Sequence, residues 1–399
     1  MIDTTANTEW PFPPPLMPME AEVADDLPSP PGWGYEPKWD GFRAVMWSRS
    51  ATADPRLDSR NAKPLSRYFP ELRPALEQLP PGTVADGEVV VITRGRLDFD
   101  ALQNRIHPAE SRIRRLAEET PARLALFDLL AVTGHDLRRR PLRERRQLLE
   151  EVAALVSAER GVTDTAGAAA KRGGASGTPP SPVWLLTPQT ADVDIARRWF
   201  AEFEPAGFDG IVAKGLDRPY GEGRREMIKV KHRRTVDCIV GGYRPQRDRT
   251  RVGSILLGLY DQRGELHFIG HCSSFGEHEA RDLLNVLVPL RAPGWGGAEP
   301  PADLVGPDGG GHARRPGAVS RWSGDKDLAF EPVRPVMVVE VSYDQLTGDR
   351  FRHGTRFERW RPDKDPRECA MEQLERPVGS GVIEMLRTTA GGPGRPVKP

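Results

Sequence analysis

The pattern of apolar and polar residues changes at Arg234, and this change constrains the fold more than any other feature of the sequence. Before Arg234, short runs rich in β-branched and aromatic residues alternate with segments whose apolar residues recur at helical spacing. After it, the runs are all of the β type and are bounded by Gly, Pro and Asp, with one helical segment at 276–291. This pattern predicts an α+β domain followed by a small all-β domain.

The first domain is expected to span residues 1–234. Its predicted strands lie at 42–49, 83–92, 123–132, 209–215 and 227–232. Helices are predicted at 142–160 and 192–207, and the second ends at a glycine that is typical of a helix C-cap. The first thirty residues are Pro-rich and are expected to wrap a surface rather than build a core. Residues 161–182 are of low complexity and predict a mobile surface insertion.

The second domain is expected to span residues 235–376. Its predicted strands include 236–245, 252–261, 267–275 and 336–347. Five short strands and a single helix suit a small closed barrel of the oligonucleotide-binding (OB) type. Residues 292–320 are rich in Gly and Pro and predict a loop insertion, and 377–399 are expected to form a disordered tail.

Composition excludes several classes of protein. No run approaches the roughly 20 apolar residues that span a bilayer, and the N-terminus lacks the features of a secretory signal, so no membrane partner is expected. The three cysteines, Cys238, Cys272 and Cys369, form no CxxC pair, which supports neither a disulfide framework nor a zinc module and favours the cytoplasm. Lys+Arg and Asp+Glu both number 57, so charge permits a nucleic-acid partner without demanding one.

The segment EPKWDGFR at 36–43 carries the most chemical information. The pattern KxDGxR arises by chance in roughly one of 160,000 windows, which disfavours a surface turn with incidental charges. A lysine amine attacks phosphorus only when it is neutral, and neighbouring cations and burial lower its pKa towards that state. Lys229 and Lys231 alternate along a predicted strand and can supply such cations from one face. We therefore expect Lys38 to be a nucleophile.

These residues resemble the lysine-nucleotidyltransferases, a superfamily that includes ATP-dependent DNA ligases, RNA ligases and mRNA capping enzymes. The resemblance extends from about Glu36 to Arg367, and its motifs occur in the family's order. It implies a nucleotidyltransferase (adenylylation) domain of antiparallel sheets with flanking helices, followed by an OB-fold barrel. No P-loop or Rossmann glycine motif occurs, so phosphates must be held by other groups.

The first motifs assign the nucleophile and its neighbours. Residues 36–43 resemble motif I, which implies that Lys38 becomes adenylylated and that Glu36 and Arg43 lie at the nucleotide, with Arg43 also reaching DNA. Ser59-Arg60-Asn61 resembles the next motif, whose arginine contacts the nick phosphate in the family, so Arg60 is expected to bind nucleotide and DNA. Asp86-Gly87-Glu88 is similar to motif III, which implies that Glu88 serves the ribose or a metal ion.

The later motifs assign the base, the metal and the phosphates. Phe127-Asp128 resembles motif IIIa, whose aromatic ring stacks on adenine. Residues 209–214 resemble motif IV, which implies that Asp209 binds the catalytic metal, Mg²⁺ or Mn²⁺; many relatives carry Glu at this position. Lys229 and Lys231 match motif V, which contacts the α-phosphate. Motif VI is matched near the end of the second domain, and its expected pyrophosphate-orienting residues are Arg361, Asp363 and Lys364.

Further basic residues cluster at the predicted domain boundary. A solvated surface is the ordinary explanation of such a cluster, but these residues flank the proposed hinge and the first barrel strands. The arginines expected to contact DNA phosphates are Arg233, Arg234, Arg247 and Arg249.

The resemblance implies an ATP-dependent DNA ligase that seals nicks in duplex DNA through lysyl-AMP and a DNA-adenylate. It is nearest to the small stand-alone, C-type bacterial repair ligases, on residues 98–106 and 359–369. By that analogy the chain is expected to be a cytoplasmic, nucleoid-associated monomer that works beside a separate repair polymerase. Two alternatives stay open: an RNA ligase or mRNA-capping-type guanylyltransferase, and a non-catalytic OB-fold nucleic-acid-binding protein.

Overall fold

The computed structural model describes residues 8–167, 183–295, 315–316, 329–374, 381–383 and 385–386. The chain divides into two compact units. The first comprises Met1–His232 together with Pro377–Pro399, and the second comprises Arg233–Arg376. The boundary therefore falls two residues before the predicted one, and Arg233 and Arg234 belong to the second unit. Residues 168–182 and most of 292–320, where insertions are predicted, lie outside the described residues.

The first unit is built on two sheets. Its strands are β1 (Glu20–Val23), β2 (Trp33–Pro37), β3 (Phe42–Trp47), β4 (Arg56–Ser59), β5 (Val84–Thr93), β6 (Arg96–Leu97), β7 (Ala122–Val132), β8 (His135–Asp136), β9 (Trp184–Leu186), β10 (Gly210–Gly215) and β11 (Arg225–Lys231). The larger sheet has the order β4-β3-β5-β7-β8, with β6 paired to β5 and β9 to β7, and the smaller sheet has the order β1-β11-β10-β2. All pairings are antiparallel except β1 with β11 and β7 with β9.

Helices flank these sheets. They are α1 (Arg73–Gln78), α2 (Phe99–Asn104), α3 (Glu110–Glu119), α4 (Leu142–Gly167) and α5 (Val193–Phe203). Apolar residues of α1 and α4 pack with the larger sheet in one core, and α5 packs with residues of both sheets in another. The predicted glycine C-cap is confirmed: a short 3-10 turn follows α5, and Gly207 then adopts a left-handed φ of 97°.

Three features of the first unit differ from the sequence-based expectations. Helix α4 continues to Gly167, seven residues into the low-complexity segment, because Gly161 costs a helix only about 1 kcal/mol relative to Ala. Phe12, Leu16 and Met19 are buried in a core cluster, so the Pro-rich N-terminus contributes to the core rather than only wrapping a surface. In the segment predicted as a disordered tail, Val382 is fully buried against the same unit, where its N–H donates to the carbonyl of Gly95 at 2.7 Å.

The second unit is a closed barrel. Its elements are β12 (Arg234–Pro245), β13 (Val252–Tyr260), β14 (Leu266–Cys272), α6 (Glu277–Leu287), β15 (Glu331–Pro332), β16 (Val338–Tyr343), β17 (Leu346–Thr347), β18 (Arg350–Phe351) and β19 (Arg356–Trp360). The sheet order is β14-β13-β12-β16-β19, and β15 pairs with β12. A parallel bridge between Cys272 and Thr355 joins β14 to the start of β19 and closes the ring. This topology confirms the predicted OB-type barrel.

The apolar residues of the barrel strands form the core of the second unit, together with α6. All three cysteines are buried in this core as free thiols. Among the described helices, none combines the length and apolar character needed to cross a bilayer.

Candidate active site

Lys38 and Asp209 are brought together by the smaller sheet of the first unit. Lys38 follows β2 and Asp209 precedes the neighbouring strand β10; the Lys38 N–H donates to the Gly210 carbonyl at 2.8 Å and the Asp209 N–H donates to the Lys38 carbonyl at 2.9 Å. The two side chains meet with Nζ 2.6 Å from Oδ2. Gly210 has a φ of 135°, and a Cβ there would lie 2.0 Å from the Val230 carbonyl oxygen, so this turn requires glycine after the acid.

Asp209 is a buried carboxylate with an unused oxygen. Its side chain is 3% exposed. Burial alone would raise its pKa, but Lys38 and Lys231 outweigh that effect and hold the pKa below the usual value. Both cations contact Oδ2, whereas Oδ1 is buried without a hydrogen-bond partner in the described structure. A hard oxygen ligand left unsatisfied in this way fits a divalent cation such as Mg²⁺.

Lys229 and Lys231 lie on one face of β11, as their spacing predicts. They pair in register with Val212 and Gly210 of β10, and Lys231 Nζ lies 3.4 Å from Asp209 Oδ2. Burial, followed by the charges of Lys231 and Lys38, lowers the pKa of Lys229. The site therefore concentrates three ammonium groups, which suits a phosphate-bearing ligand.

Glu88 faces the same site from the larger sheet. It lies opposite Arg43 in the pairing of β5 with β3. Burial raises the pKa of Glu88 to about 7, although Arg43 and Lys38 both oppose the rise. Glu88 is thus a carboxylate close to Lys38 that gains or loses its proton near neutral pH.

Arg43 is held by a buried polar network. Its Nε and Nη2 donate to the two oxygens of Asp86 at 2.6 and 2.7 Å, and Nη2 also donates to the Met19 carbonyl at 3.2 Å. The Tyr220 hydroxyl donates to Asp86 Oδ2 at 2.5 Å and accepts the Met19 N–H at 2.9 Å. A bidentate arginine–carboxylate pair of this kind fixes the plane of the guanidinium group.

Phe127 lies between cationic groups. The Arg43 guanidinium carbon is 4.5 Å from the ring centroid and Lys214 Nζ is 4.1 Å from it, so both cations are within cation–π range. Lys214 Nζ also lies 2.6 Å from Glu36 Oε2, both side chains being 3% exposed, and Gln189 donates to Glu36 Oε1 at 2.8 Å. Phe127, which was predicted to stack on adenine, and the predicted nucleotide-binding residues Glu36 and Arg43 therefore belong to one contact group, together with Lys214.

Arg60 lies at the exposed margin of this site. Its side chain is 63% exposed and its Nε is 3.4 Å from Glu20 Oε1. Its charge contributes to the lowered pKa of Lys229, which places Arg60 beside the lysine pair. An exposed arginine next to a phosphate-binding cluster can contact a second, larger anion.

The predicted motif VI residues form a separate cluster in the second unit. Arg361 donates through Nε and Nη2 to the Asp363 carboxylate, with a shortest distance of 2.9 Å, and this bonding lowers the pKa of Asp363 to about 2. Arg361 and Lys364 both bind Asp237.

The remaining arginines predicted to bind DNA also lie in the second unit. Arg233, Arg247 and Arg249 are exposed, and Arg234 donates to the Asp344 carbonyl at 2.8 Å. Arg249 Nη1 lies 3.7 Å from Glu331 Oε1. The exposure of Arg233, Arg247 and Arg249 makes these three side chains accessible to phosphates.

Sequence reasoning assigned no role to four residues of these networks: Lys214, Asp86, Tyr220 and Asp237. Asp86 and Lys214 lie within the segments that resemble motifs III and IV, and Lys214 had a further signal, because a lysine inside an otherwise apolar strand must be paired when it is buried. Tyr220 and Asp237 had no signal, because their partners lie far away in the sequence: 134 residues separate Tyr220 from Asp86, and 127 separate Asp237 from Lys364.

Comparisons with known proteins identify the family of this chain. The family model "ATP dependent DNA ligase domain" matches residues 18–231, and "ATP dependent DNA ligase C terminal region" matches residues 248–364. The chain is 44% identical over 386 residues to DNA ligase C2 of Mycolicibacterium smegmatis, covering 95% of this chain and 99% of the relative. It is also 44% identical over 380 residues to DNA ligase C of Mycobacterium tuberculosis, with the same coverage of 95% and 99%.

One solved structure illustrates the shared fold. It comes from a structure–function study of Lig E DNA ligases and has a TM-score of 0.50, covering 86% of this chain and 99% of that one. The sequence identity is 16%, so this likeness shows the fold alone.

Proposed function

Because the chain belongs to the ATP-dependent DNA ligases, we propose that it seals nicks in duplex DNA by carrying AMP on Lys38. The observation that supports this assignment is the contact of Lys38 with Asp209 at 2.6 Å, beside Lys229 and Lys231. A lone surface lysine would not be placed against a buried carboxylate and two further cations. This arrangement supplies a nucleophile, a metal ligand and phosphate-neutralising charges at one point.

The first step joins AMP to the protein. Lys38 must leave Asp209 and lose its proton; its neutral Nζ then forms a bond to the α-phosphorus of ATP while the bond to pyrophosphate breaks. Lys229 and Lys231 neutralise charge on the α-phosphate during the transfer. Burial first, and then the neighbouring charges of Lys231, Lys38 and Arg60, lower the pKa of Lys229, so an anion that enters this region relieves part of that charge repulsion.

Asp209 and Glu88 would hold the metal ion, Mg²⁺ or Mn²⁺. The unpartnered Oδ1 of Asp209 supports this role. When bound, the ion supplies positive charge beside the reacting phosphate oxygens. The ammonium group of Lys38 contacts the other oxygen of Asp209, so Oδ1 is the oxygen that is available to the ion.

The nucleotide base is proposed to bind against Phe127. The ring presents a π-face already bordered by Lys214 and Arg43. Glu36 and Lys214 offer an acceptor and a donor side by side, which matches the amino group and ring nitrogen on one edge of adenine. Asp86 restricts the rotation of the Arg43 side chain, and Arg43 can direct its Nη1 group towards a phosphate.

The later steps take place on DNA. AMP passes from Lys38 to the 5′-phosphate at the nick, and the 3′-hydroxyl then attacks that phosphorus and releases AMP. Arg43 and Arg60 are proposed to contact the nick, and four arginines of the second unit to contact the flanking backbone: Arg233, Arg234, Arg247 and Arg249. Arg361, Asp363 and Lys364 are proposed to serve the pyrophosphate of the first step.

The cellular setting follows from this chemistry. We propose that the chain acts as a monomer in the cytoplasm, on the nucleoid, in DNA repair together with a separate polymerase. Its three thiols are buried and free, which is compatible with a reducing compartment.

The assignment of Lys38 is tested with ATP labelled on the α-phosphate. Purified protein is mixed with Mg²⁺ and labelled ATP or, separately, labelled GTP, and label that stays on the denatured chain is measured. We expect label from ATP that is lost in Lys38→Ala, kept in the control Lys63→Ala at an exposed lysine, and discharged by nicked DNA.

Each other outcome assigns the chain differently. Label from GTP alone would indicate a guanylyltransferase, and label discharged only by nicked RNA would indicate an RNA ligase. No label, even after prior treatment with pyrophosphate to remove resident AMP, would refute lysine chemistry and favour a non-catalytic nucleic-acid-binding protein. Label that persists in Lys38→Ala would place the nucleophile elsewhere.

A further inference from the structure

Asp237 binds two of the residues proposed to receive pyrophosphate. Its carboxylate accepts hydrogen bonds from Arg361 Nη1 at 2.9 and 3.0 Å and from Lys364 Nζ at 2.7 Å. Asp237 lies on β12, whereas both cations follow β19, so the contact is a product of the barrel fold. The Asp237 side chain is 12% exposed and those of its partners are 19% and 18% exposed, so the pairs are largely shielded from water.

The backbone of Asp237 is held in place from a second element. Gln373, in the short 3-10 helix Met371–Leu374, accepts the Asp237 N–H through Oε1 at 3.3 Å and donates through Nε2 to the Asp237 carbonyl at 3.2 Å. Asp237 also pairs in register with Glu340 of β16. Because the N–H and the carbonyl of Asp237 are both held, its carboxylate can in turn hold Arg361 and Lys364 in place.

The pairing of Asp237 with Glu340 needs an explanation. Like charges directly opposite each other on neighbouring strands destabilise a sheet. Here the cost is offset by cations on both acids: Arg359 Nε lies 2.6 Å from Glu340 Oε2, and Arg361 Nη1 lies between the two carboxylates, 3.8 Å from Glu340. Since an apolar residue at Asp237 would avoid this repulsion, the acid is best explained by the cations it holds.

Arg361 and Lys364 differ in how many donors remain for a ligand. Arg361 is bound by Asp237 and Asp363 through Nε, Nη1 and Nη2, which leaves at most two of its five N–H groups. An ammonium group has three donors, and Asp237 accepts one of those of Lys364. Lys364 therefore keeps donors for an anion while its position is fixed by Asp237.

We propose that Asp237 is a positioning residue for self-adenylylation: it fixes Lys364 and Arg361 in the arrangement that receives the pyrophosphate part of ATP. The inference rests on the proposed function of those two residues. It predicts a defect confined to the step in which pyrophosphate is present, because the sealing of a nick that already carries a 5′-adenylate involves no pyrophosphate.

Asp237→Asn keeps the shape of the side chain and removes its charge, so it is the informative variant. Two rates are measured for it: formation of lysyl-AMP from ATP and Mg²⁺, and sealing of a preformed DNA-adenylate nick. We expect the first to fall by about tenfold or more and the second to stay within about twofold of wild type. Asp282→Asn, at an exposed acid on α6 of the same unit, is the matched control and should leave both rates unchanged.

A second pair of variants tests whether Asp237 acts through Lys364. If it does, adding Asp237→Asn to Lys364→Met should slow adenylylation by a clearly smaller factor than Asp237→Asn slows wild type, because only the part that acts through Arg361 remains. Gln373→Met removes the backbone clamp but leaves the carboxylate, and should produce the same selective defect at smaller size. Thermal melting of each variant shows which of them fold.

The outcomes separate the two ideas. Wild-type protein that forms no lysyl-AMP would overturn the proposed function itself. Normal adenylylation in folded Asp237→Asn, an equal loss in both assays, or full additivity with Lys364→Met would overturn only the role of Asp237. If Asp237→Asn does not fold, Gln373→Met decides, and the absence of a selective defect in that variant counts against the inference.

Discussion

Lys38 Nζ lies 2.6 Å from Asp209 Oδ2, so the proposed nucleophile and the proposed metal ligand form one ion pair. Each group satisfies the other's charge in a site where Asp209 is almost fully buried. The pair has to separate before Lys38 can react, because a protonated amine has no lone pair for phosphorus. On binding of metal and ATP, the ion pair of Lys38 with Asp209 would be replaced by contacts of Lys38 with ATP and of Asp209 with the metal ion.

Asp209→Asn should abolish the metal-binding role while keeping the shape of the site. We expect the rate of lysyl-AMP formation at saturating ATP to fall by about 10²–10³-fold, the loss seen when one preorganised charge-stabilising group is removed. Asp217→Asn is the control, because Asp217 is 68% exposed and pairs with Arg143 on the surface. A near-normal rate in Asp209→Asn at ordinary Mg²⁺ concentrations would exclude Asp209 as a ligand.

Glu88 should make stability depend on pH. Its pKa is raised by burial to about 7 in the folded protein, from 4.5 for the free side chain. The folded state therefore binds more protons than the unfolded state between these values, and the contribution of Glu88 to stability is present below about 4.5 and is lost as the pH rises through about 7. Relative to Glu88→Gln, the free energy of unfolding of wild type should fall between pH 5 and pH 8 by at most about 3 kcal/mol.

Urea denaturation of both proteins at the two pH values measures this difference. Glu110→Gln, at an acid that is 74% exposed on α3, should show no comparable trend. A difference between wild type and Glu88→Gln that does not change with pH would contradict the raised pKa.

Arg60→Ala should weaken the binding and sealing of DNA more than it slows adenylylation. Arg60 is 63% exposed and lies beside, rather than within, the lysine cluster. We expect sealing to slow at physiological salt and the slope of log affinity against log salt for nicked DNA to decrease by about 1, the effect of losing one phosphate contact. Binding is measured by fluorescence anisotropy across a salt series, with Arg114→Ala as control because Arg114 is 73% exposed on α3. An unchanged slope would argue that Arg60 does not touch DNA.

Asp128→Asn should destabilise the first unit strongly. Asp128 on β7 and Arg145 on α4 form a bidentate ion pair at 2.8 and 2.9 Å, and both side chains are 1% exposed. Removing the acid leaves a buried guanidinium group without its counter-charge, which costs about 3–5 kcal/mol of unfolding free energy. The exposed pair of Glu110 and Arg114 offers the contrast, since Glu110→Gln should cost less than about 0.5 kcal/mol. Chemical denaturation of both variants tests the ranking, which a loss below about 1 kcal/mol for Asp128→Asn would contradict.

The elements that sequence predicted well are those whose signal is local. The runs at 83–92 and 123–132 are long and apolar, and they became β5 and β7 at the centre of the larger sheet. The motif residues from Lys38 to Lys231 were predicted in order, and the structure brings Lys38, Glu88, Asp209 and Lys231 close to one another. Periodicity and motif spacing are local properties of the sequence, so they can be recognised without knowledge of the fold.

What could not be predicted depends on partners that are distant in the sequence. β1 is four residues long and half exposed, and it exists because it pairs with β11 about two hundred positions later. In the sequence, Tyr220 is an aromatic residue in a loop with no distinguishing pattern, and only the fold brings its hydroxyl group to Asp86. The buried position of Val382 depends equally on a distant carbonyl, that of Gly95. No window of the sequence contains such information.

The way in which Val382 and Met385 complete the core of the first unit has a consequence for synthesis on the ribosome. Strand β1 is synthesised first but cannot pair until β11 has been made. The core that contains Val382 and Met385 stays incomplete until the whole barrel, which ends at Arg376, has been synthesised. During translation the apolar side chains of Phe12, Leu16 and Met19 lack Tyr220 and Met227, their neighbours in the same core cluster, until β11 has been made, and during that interval they are open to aggregation. The barrel is continuous in sequence, so it can fold before the last residues of the first unit have been synthesised.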